Sequence, residues 1–309
     1  MLPIFPKIDF EVLLDDSLDR VRSLPQEMQG ANQNLLSLVN DYEEGEWRYD
    51  KFSGFVWDNI AESALSFDER EKLATRASSQ LKKAAQNLRL SDDTGKGSEL
   101  AEIFLYGIMK HHYGAVSAVP KIFYKQNTQD YAKGADSVHI VLEENKKFSI
   151  WLGEAKFYEN VVPAMSDAIQ SIKKILKKNK LKKETSIITG LQELDKAIED
   201  TTVVGNIKAL LSNDTSIDKL KPVLHMPILL LYQCEITRQE TQFTDEYREG
   251  IKNSHRKQAS VFFKNHADEL ADSVHLYSQI SFHLILFPVP DAKKIKDEFV
   301  NTAVFFRKI

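Results

Sequence analysis

Cysteine is almost absent from the sequence, since Cys234 is the single one in 309 residues. One cysteine cannot form an internal disulfide, and it excludes a cysteine-rich zinc site. Long apolar runs are also missing: residues 227–232 form one of the longest, far below the roughly 20 residues of a membrane-spanning helix. The beginning, MLPIFPKIDF, has no basic segment followed by a long apolar one, so we expect no secretory signal. These absences predict a cytoplasmic protein without a membrane segment.

A large excess of positive charge is missing as well. The chain has 41 Lys and Arg residues against 45 Asp and Glu residues, a net charge of −4. A protein that coats nucleic acid without specificity is expected to be strongly basic. Any contact with nucleic acid must therefore use a local basic surface or a partner.

Composition and length allow a sizeable core, organised as one elaborated domain or two. The segment SDDTGKGSE, residues 91–99, has the composition of a loop and is the predicted domain boundary. Before it, region 1–95 is predicted to be a mainly helical extension, with a helical stretch within 23–44 and one long amphipathic helix over 67–88. We interpret this region as a docking or regulatory element, because the predicted core does not require it.

After the boundary, the hydrophobic patterns of residues 96–309 predict a mixed α/β core in which helices pack on a β-sheet. The expected helices are Glu99 to about His112, 163–176, 244–270 and 291–300, with a mostly helical insertion near 184–220. The expected strands are 115–124, 136–142, 148–157, 223–233 and 281–288.

Residues 134–158 predict a β-hairpin with its turn centred on Asn145. A shift of one residue would pair apolar with polar positions, so the pattern favours one register. That register places three apolar pairs on one face: Val138 with Leu152, Ile140 with Ile150, and Leu142 with Phe148.

The same register brings two acids and a lysine together. Asp136 faces Glu154, with their Cβ atoms expected about 4.5–5.5 Å apart, and Lys156 follows on the same face. Facing carboxylates repel each other unless a cation lies between them. Mg²⁺ binds one or two carboxylates together with water and phosphate, and the carbonyl of Ala155 offers another oxygen. With Lys156 orienting water and stabilising the phosphate, the pattern predicts a Mg²⁺-dependent phosphodiesterase, with Mn²⁺ as the alternative ion. The competing interpretation, a surface hairpin with a charged end, gives no reason for two facing acids.

Further candidates lie on the neighbouring helices. Glu99 and Glu102 share one side of the first core helix, and either could supply another metal ligand; Glu99 is preferred, although helix capping explains acids there equally well. Gln170 could support the site or face solvent. Seven lysines are candidates for DNA phosphate contacts, with a solvated helix end as the alternative: Lys173, Lys174, Lys177, Lys178, Lys180, Lys182 and Lys183. We expect no nucleotide on this chain, because Lys96 in GKG lacks the rest of a phosphate-binding loop.

The segments GSELAEIFLYGIMKHHYG, KGADSVHI and SIWLGEAKFYEN resemble the nuclease subunit of the Hachiman anti-phage defence system. The resemblance is marked over roughly residues 95–180 and looser elsewhere. It implies a divergent PD-(D/E)xK, restriction-endonuclease-like fold and a Mg²⁺-dependent DNase in the bacterial cytoplasm. It also implies a superfamily 2 helicase partner that restrains the nuclease until phage or damaged DNA is sensed. The family's acid, acid and lysine fall on Asp136, Glu154 and Lys156, with the helix acid on Glu99 or Glu102, while Gly134 and Ala135 stand where the nominal proline would be.

Two other functions are compatible with the same residues. One is a structure-specific endonuclease of the junction-cleaving kind. The other is a catalytically inactive PD-(D/E)xK module that binds DNA or a partner, although a binding module has no need of two facing acids.

Overall fold

The computed structural model describes residues 6–16, 32–90, 98–125, 134–190 and 192–309. Most of the expected boundary loop, residues 91–97, lies outside the described residues, as do residues 23–31 of the expected N-terminal helical stretch. None of the described helices combines the length and apolar character that crossing a bilayer requires.

The N-terminal part contributes both strands and helices. Its strands are β1 (Glu11–Asp15), β2 (Gln33–Val39) and the short pair β3 (Tyr42–Glu43) and β4 (Glu46–Trp47). Its helices are α1 (Tyr49–Ala64), α2 (Phe67–Leu73) and α3 (Ala77–Gln86).

The remaining chain alternates between helices and strands. The helices are α4 (Ser98–His111), α5 (Lys121–Lys125), α6 (Val161–Ile175), α7 (Lys178–Gly190), α8 (Glu193–Ala197), α9 (Thr201–Leu211), α10 (Glu235–Gln239), α11 (Asp245–Leu270) and α12 (Ala292–Lys308). The strands are β5 (Val116–Val119), β6 (Ser137–Leu142), β7 (Phe148–Tyr158), β8 (Leu224–Gln233) and β9 (Ser281–Val289).

Seven strands form one mixed sheet in the order β1-β2-β9-β8-β7-β6-β5. The four central strands β2, β9, β8 and β7 run parallel to one another. The edge pairs β1–β2, β7–β6 and β6–β5 are antiparallel. The predicted mixed α/β architecture is therefore confirmed.

Each face of the sheet carries its own layer of helices. Ile150 and Leu152 of β7 pack with residues of α6, α7, α9 and α11 on one face. Trp151, Ala155 and Phe157 of the same strand pack with α1, α3, α4 and α12 on the other. Because successive side chains of a strand point to opposite faces, one strand supplies both cores.

Several sequence-based expectations need correction. Residues 33–39 of the expected helical stretch form strand β2, which is buried on both faces and so shows no polar–apolar alternation. The expected helix over 67–88 is two helices, of which the first begins with a capping box formed by Ser66 and Glu69. Strand β5 ends at Val119, since Pro120 precedes a short helix, and the final helix continues to Lys308.

Candidate active site

The hairpin has the register that the sequence predicts. Val138 pairs with Leu152, Ile140 with Ile150 and Leu142 with Phe148. Asn145 has a φ of 58° in a tight turn over residues 144–146. The ladder reaches Ser137 and Gly153, and the Asp136 N–H then donates to the Gly153 carbonyl over 2.8 Å. Asp136 therefore continues the register by one residue, to the position opposite Glu154 across the hairpin.

The carboxylate of Asp136 lies along the edge of β7 that β6 leaves open. Its Oδ2 accepts a hydrogen bond of 3.1 Å from the backbone N–H of Ala155. In an extended strand the N–H and C=O of one residue point to the same neighbour. The Ala155 carbonyl thus points to the side that Asp136 occupies, as its expected role as an oxygen ligand requires.

Glu154 and Lys156 form an ion pair within the same site. Lys156 Nζ lies 2.6 Å from Glu154 Oε1, with side-chain exposures of 20% and 4% respectively. Burial, reinforced by the charge of Asp136, raises the pKa of Glu154 to about 7. Burial alone would lower the pKa of Lys156, but the Glu154 carboxylate outweighs it and raises that pKa. A divalent cation beside Asp136 and Glu154 would favour the charged form of both acids.

These three side chains open into one cavity of about 340 Å³ between the sheet and helices α6 and α7. Ser171 of α6 reaches the cavity and hydrogen-bonds Glu154. This bond partly opposes the rise in the pKa of Glu154 that burial causes. Lys174 and Lys180 line it as well. The cavity thus brings Asp136 and Glu154 together with three lysines, and Glu184 of α7 lines it as well; such a set of charges suits a phosphodiester and a cation.

The two helix acids lie on α4, on the other face of the sheet. Leu105 of α4 lies against Gly153, and Tyr113 beyond the helix packs on Trp151 with ring centroids 4.7 Å apart. The helix therefore runs opposite to β7, and its first turn lies toward the end of β7 that carries Glu154. Of the residues described, neither Glu99 nor Glu102 lines the cavity itself.

Glu99 and Glu102 differ in their local contacts. Glu99 Oε2 accepts a hydrogen bond of 2.8 Å from the Arg89 N–H. Glu102 is 2% exposed and adds to the effect of burial in raising the pKa of Tyr106, one turn later. The Tyr106 ring packs on His139 of β6, with centroids 4.4 Å apart. Glu102 thus lies on the side of α4 that faces β6.

The remaining sequence candidates are distributed around the site. Gln170 is exposed and hydrogen-bonds Glu269. Its neighbour Ser171, rotated by about 100° around the helix, is the residue that reaches the cavity and hydrogen-bonds Glu154. Lys173 also pairs with Glu269, at 2.7 Å. Lys177, Lys178 and Lys182 line a separate groove. Lys183 is half-buried on α7.

Glu184 was not anticipated from the sequence, although it lines the cavity. Its Oε2 accepts from Lys121 Nζ over 2.6 Å, and the two side chains are 1% and 0% exposed. Its Oε1 has no hydrogen-bond partner among the described residues, and a Cβ at Gly134 would lie 1.5 Å from it. The available signal was Gly134, two residues before Asp136, where a close approach of another group requires glycine.

The donor set fits a hard cation such as Mg²⁺, with two carboxylates and one backbone carbonyl on the same strand edge. Across the described ranges, no three His, Cys, Asp or Glu side chains lie close enough together to hold a metal ion. The groups that would hold the ion are the Asp136 and Glu154 carboxylates and the Ala155 carbonyl. Water and substrate would fill the other positions, as Mg²⁺ commonly allows.

Fold and cavity together define an α/β protein with an acid–acid–lysine site at one end of a mixed sheet. The family model described as HamA matches residues 14–303, and the chain belongs to the HamA family, the nuclease-like subunit of the Hachiman system. This membership indicates a role in Hachiman anti-phage defence. No curated protein matches the chain.

Proposed function

We propose that this chain is a Mg²⁺-dependent DNase of the PD-(D/E)xK type that acts as the effector of a Hachiman complex. The observation that carries the proposal is the shared cavity of Asp136, Glu154 and Lys156. Burial and a second acid both oppose ionisation of Glu154, and a bound cation would reverse this. Such an arrangement costs stability in the isolated protein, so a catalytic use explains it better than packing does.

Each residue has a distinct role in the proposed reaction. Asp136, Glu154 and the Ala155 carbonyl would hold the metal, which supplies Lewis-acid stabilisation of the phosphate when bound. Lys156 orients the attacking water and stabilises negative charge on the phosphate. Lys174 and Lys180 hold the substrate phosphate against the cavity wall. Of the two helix acids, we propose Glu102 as the supporting residue, because it faces β6.

The proposed partner is a superfamily 2 helicase subunit, and membership of the HamA family supports a helicase partner. At a net charge of −4 the isolated chain is expected to bind DNA weakly and with a steep dependence on salt. A helicase that delivers DNA to the cavity would compensate for this weakness.

A plasmid-cleavage assay tests the proposal, with the isolated chain and the complex purified from its native operon. We expect cleavage with Mg²⁺ and a loss of at least about a hundredfold in Glu154→Gln and Lys156→Met, a typical cost of removing one group that stabilises the transition state. Glu144→Gln, in the exposed hairpin turn, is the matched control and should cleave like wild type.

Other outcomes would decide between functions. Cleavage of branched DNA alone would indicate a junction-type endonuclease. DNA binding without cleavage by either preparation would indicate an inactive binding module and refute the nuclease proposal.

A further inference from the structure

A second groove lies on the far side of helix α7 from the catalytic cavity. It has a volume of about 420 Å³ and lies between the α6–α7 junction and the segments around residues 216–221 and 273–275. Lys177, Lys178, Lys182 and Lys221 line it, together with one acid, Asp218. The groove is therefore strongly basic, although the whole chain is mildly acidic.

Helical periodicity divides the lysine run between the two cavities. Lys180 and Glu184, four residues apart on α7, line the catalytic cavity. Lys178 and Lys182, also four residues apart, line the second groove. Residues at that spacing share one side of a helix, so α7 presents lysines to both cavities and forms the wall between them.

Helix stability does not account for these lysines. The sequence left open that these lysines form a solvated helix end, where basic residues are favourable at the C-terminus. In the structure α7 begins at Lys178, and the Lys177 carbonyl accepts from the N–H groups of Lys180 and Leu181. The first turn thus contains Lys178 and Lys180 and no acid. Cations are unfavourable at a helix N-terminus, and like charges four residues apart repel. Both costs would be offset by a bound anion.

Local ion pairs leave the rim of the groove positively charged. Lys221 is largely buried; it pairs with Asp218 at 3.2 Å and donates to the His275 carbonyl. Lys182 lies 3.4 Å from the Asn213 carbonyl, which is neutral. Within the described ranges, Lys177 and Lys178 are exposed and form no ion pair with a carboxylate.

We propose that this groove is a second phosphate-binding site, which holds the DNA backbone a few nucleotides away from the phosphate in the catalytic cavity. The proposal rests on the proposed function, because it assigns the direction in which the substrate leaves that cavity. A helix with its side chains is about 10–12 Å across, and one DNA strand rises about 3.4 Å per nucleotide. A substrate that occupies both sites must therefore extend about three nucleotides past the cleaved bond.

The test compares Lys178→Gln/Lys182→Gln with the control Lys293→Gln/Lys308→Gln, which removes two exposed lysines from α12 on the opposite face. Binding of a fluorescent 30-base-pair duplex is measured by anisotropy in EDTA at several salt concentrations. We expect the groove variant to bind about tenfold more weakly, and its slope of log affinity against log salt to fall by about two, near 0.9 per lost phosphate contact. The control should change neither quantity.

Cleavage of a small chromogenic phosphodiester, bis(p-nitrophenyl) phosphate, provides the second measurement. It fills the catalytic cavity alone, so the groove variant should cleave it at the wild-type rate while losing activity on the duplex. Equal duplex affinity in the groove and control variants would overturn the proposal, whatever the cleavage results. Lysine-dependent duplex binding without any cleavage by wild type would support the groove and refute the proposed nuclease.

Discussion

Glu154 is buried beside another acid, and this placement makes its protonation part of the stability of the fold. Burial, together with the charge of Asp136, raises the pKa of Glu154 from 4.5 to about 7. Between these values the folded state binds more protons than the unfolded state, so the free energy of unfolding falls as pH rises. Above pH 7 the acid is charged in both states, and the folded state bears the full cost of burying the ionised Glu154 carboxylate beside Asp136.

Glu154→Gln removes this titration. We expect the free energy of unfolding of the variant, relative to that of wild type, to increase by a few kcal/mol as the pH rises from 5 to 8, since one pKa unit corresponds to about 1.4 kcal/mol. Urea unfolding at several pH values measures the difference. Burial also lowers the pKa of His139, His255 and His266, but their effect cancels because both proteins contain them. A constant difference across this range would show that Glu154 does not titrate there. At pH 8, added Mg²⁺ should stabilise wild type and leave the variant unchanged.

At the scale of elements, the contact between α7 and the segment before β6 connects the lysine-bearing helix to Asp136. The buried Lys121–Glu184 pair is expensive to desolvate, and one carboxylate oxygen lacks a hydrogen-bond partner among the described residues. Such a pair is weak evidence for stability, and we infer that its role here is to fix the arrangement of the surrounding segments. Here it fixes α7 against Gly134, two residues from the proposed metal ligand.

Gly134→Ala tests that contact. The new Cβ would lie 1.5 Å from Glu184 Oε1, so the Glu184 carboxylate must leave Lys121, or α7 or the segment before Asp136 must shift. We expect a loss of about 1–3 kcal/mol in the free energy of unfolding, the usual range for overpacking. Gly205→Ala, in α9 with open space around the added Cβ, is the control and should stabilise by about 0.5–1 kcal/mol. Equal effects of the two substitutions would show that Gly134 is not a close contact.

Elements were predictable from the sequence where their pattern was local. The hairpin register followed from alternating apolar pairs around Asn145, and it placed Asp136 and Glu154 correctly because side chains alternate along a strand. Strand β2 was missed because LLSLV is buried on both faces, and its pairing with β9 connects residues about 250 positions apart. Glu184 was missed for a related reason: its partners Lys121 and Gly134 are distant in sequence, and no local pattern indicates them.

At the scale of the molecule, the N-terminal part and the rest of the chain share one sheet and one aromatic core. Phe52 of α1 stacks on Phe104 of α4 with ring centroids 4.8 Å apart, and Phe104 contacts Phe287 of β9 at the same distance. Strand β2 covers the edge of β9 along five paired residues. Region 1–95 thus contributes structure to the sheet, while its docking or regulatory role stays a prediction.

Removal of residues 1–95 is therefore expected to abolish cooperative folding. The fragment 96–309 would leave the backbone of β9 without a neighbour on one side and expose the aromatic core around Phe104 and Phe287. Thermal unfolding followed by circular dichroism should show a broad, weak transition. Leu36→Ala in the full chain is the control: Leu36 is 2% exposed, so the variant should lose about 2–5 kcal/mol and still unfold cooperatively. A sharp transition in the fragment would instead establish an independent core beginning near residue 96, with β1 and β2 as a separable addition to its sheet.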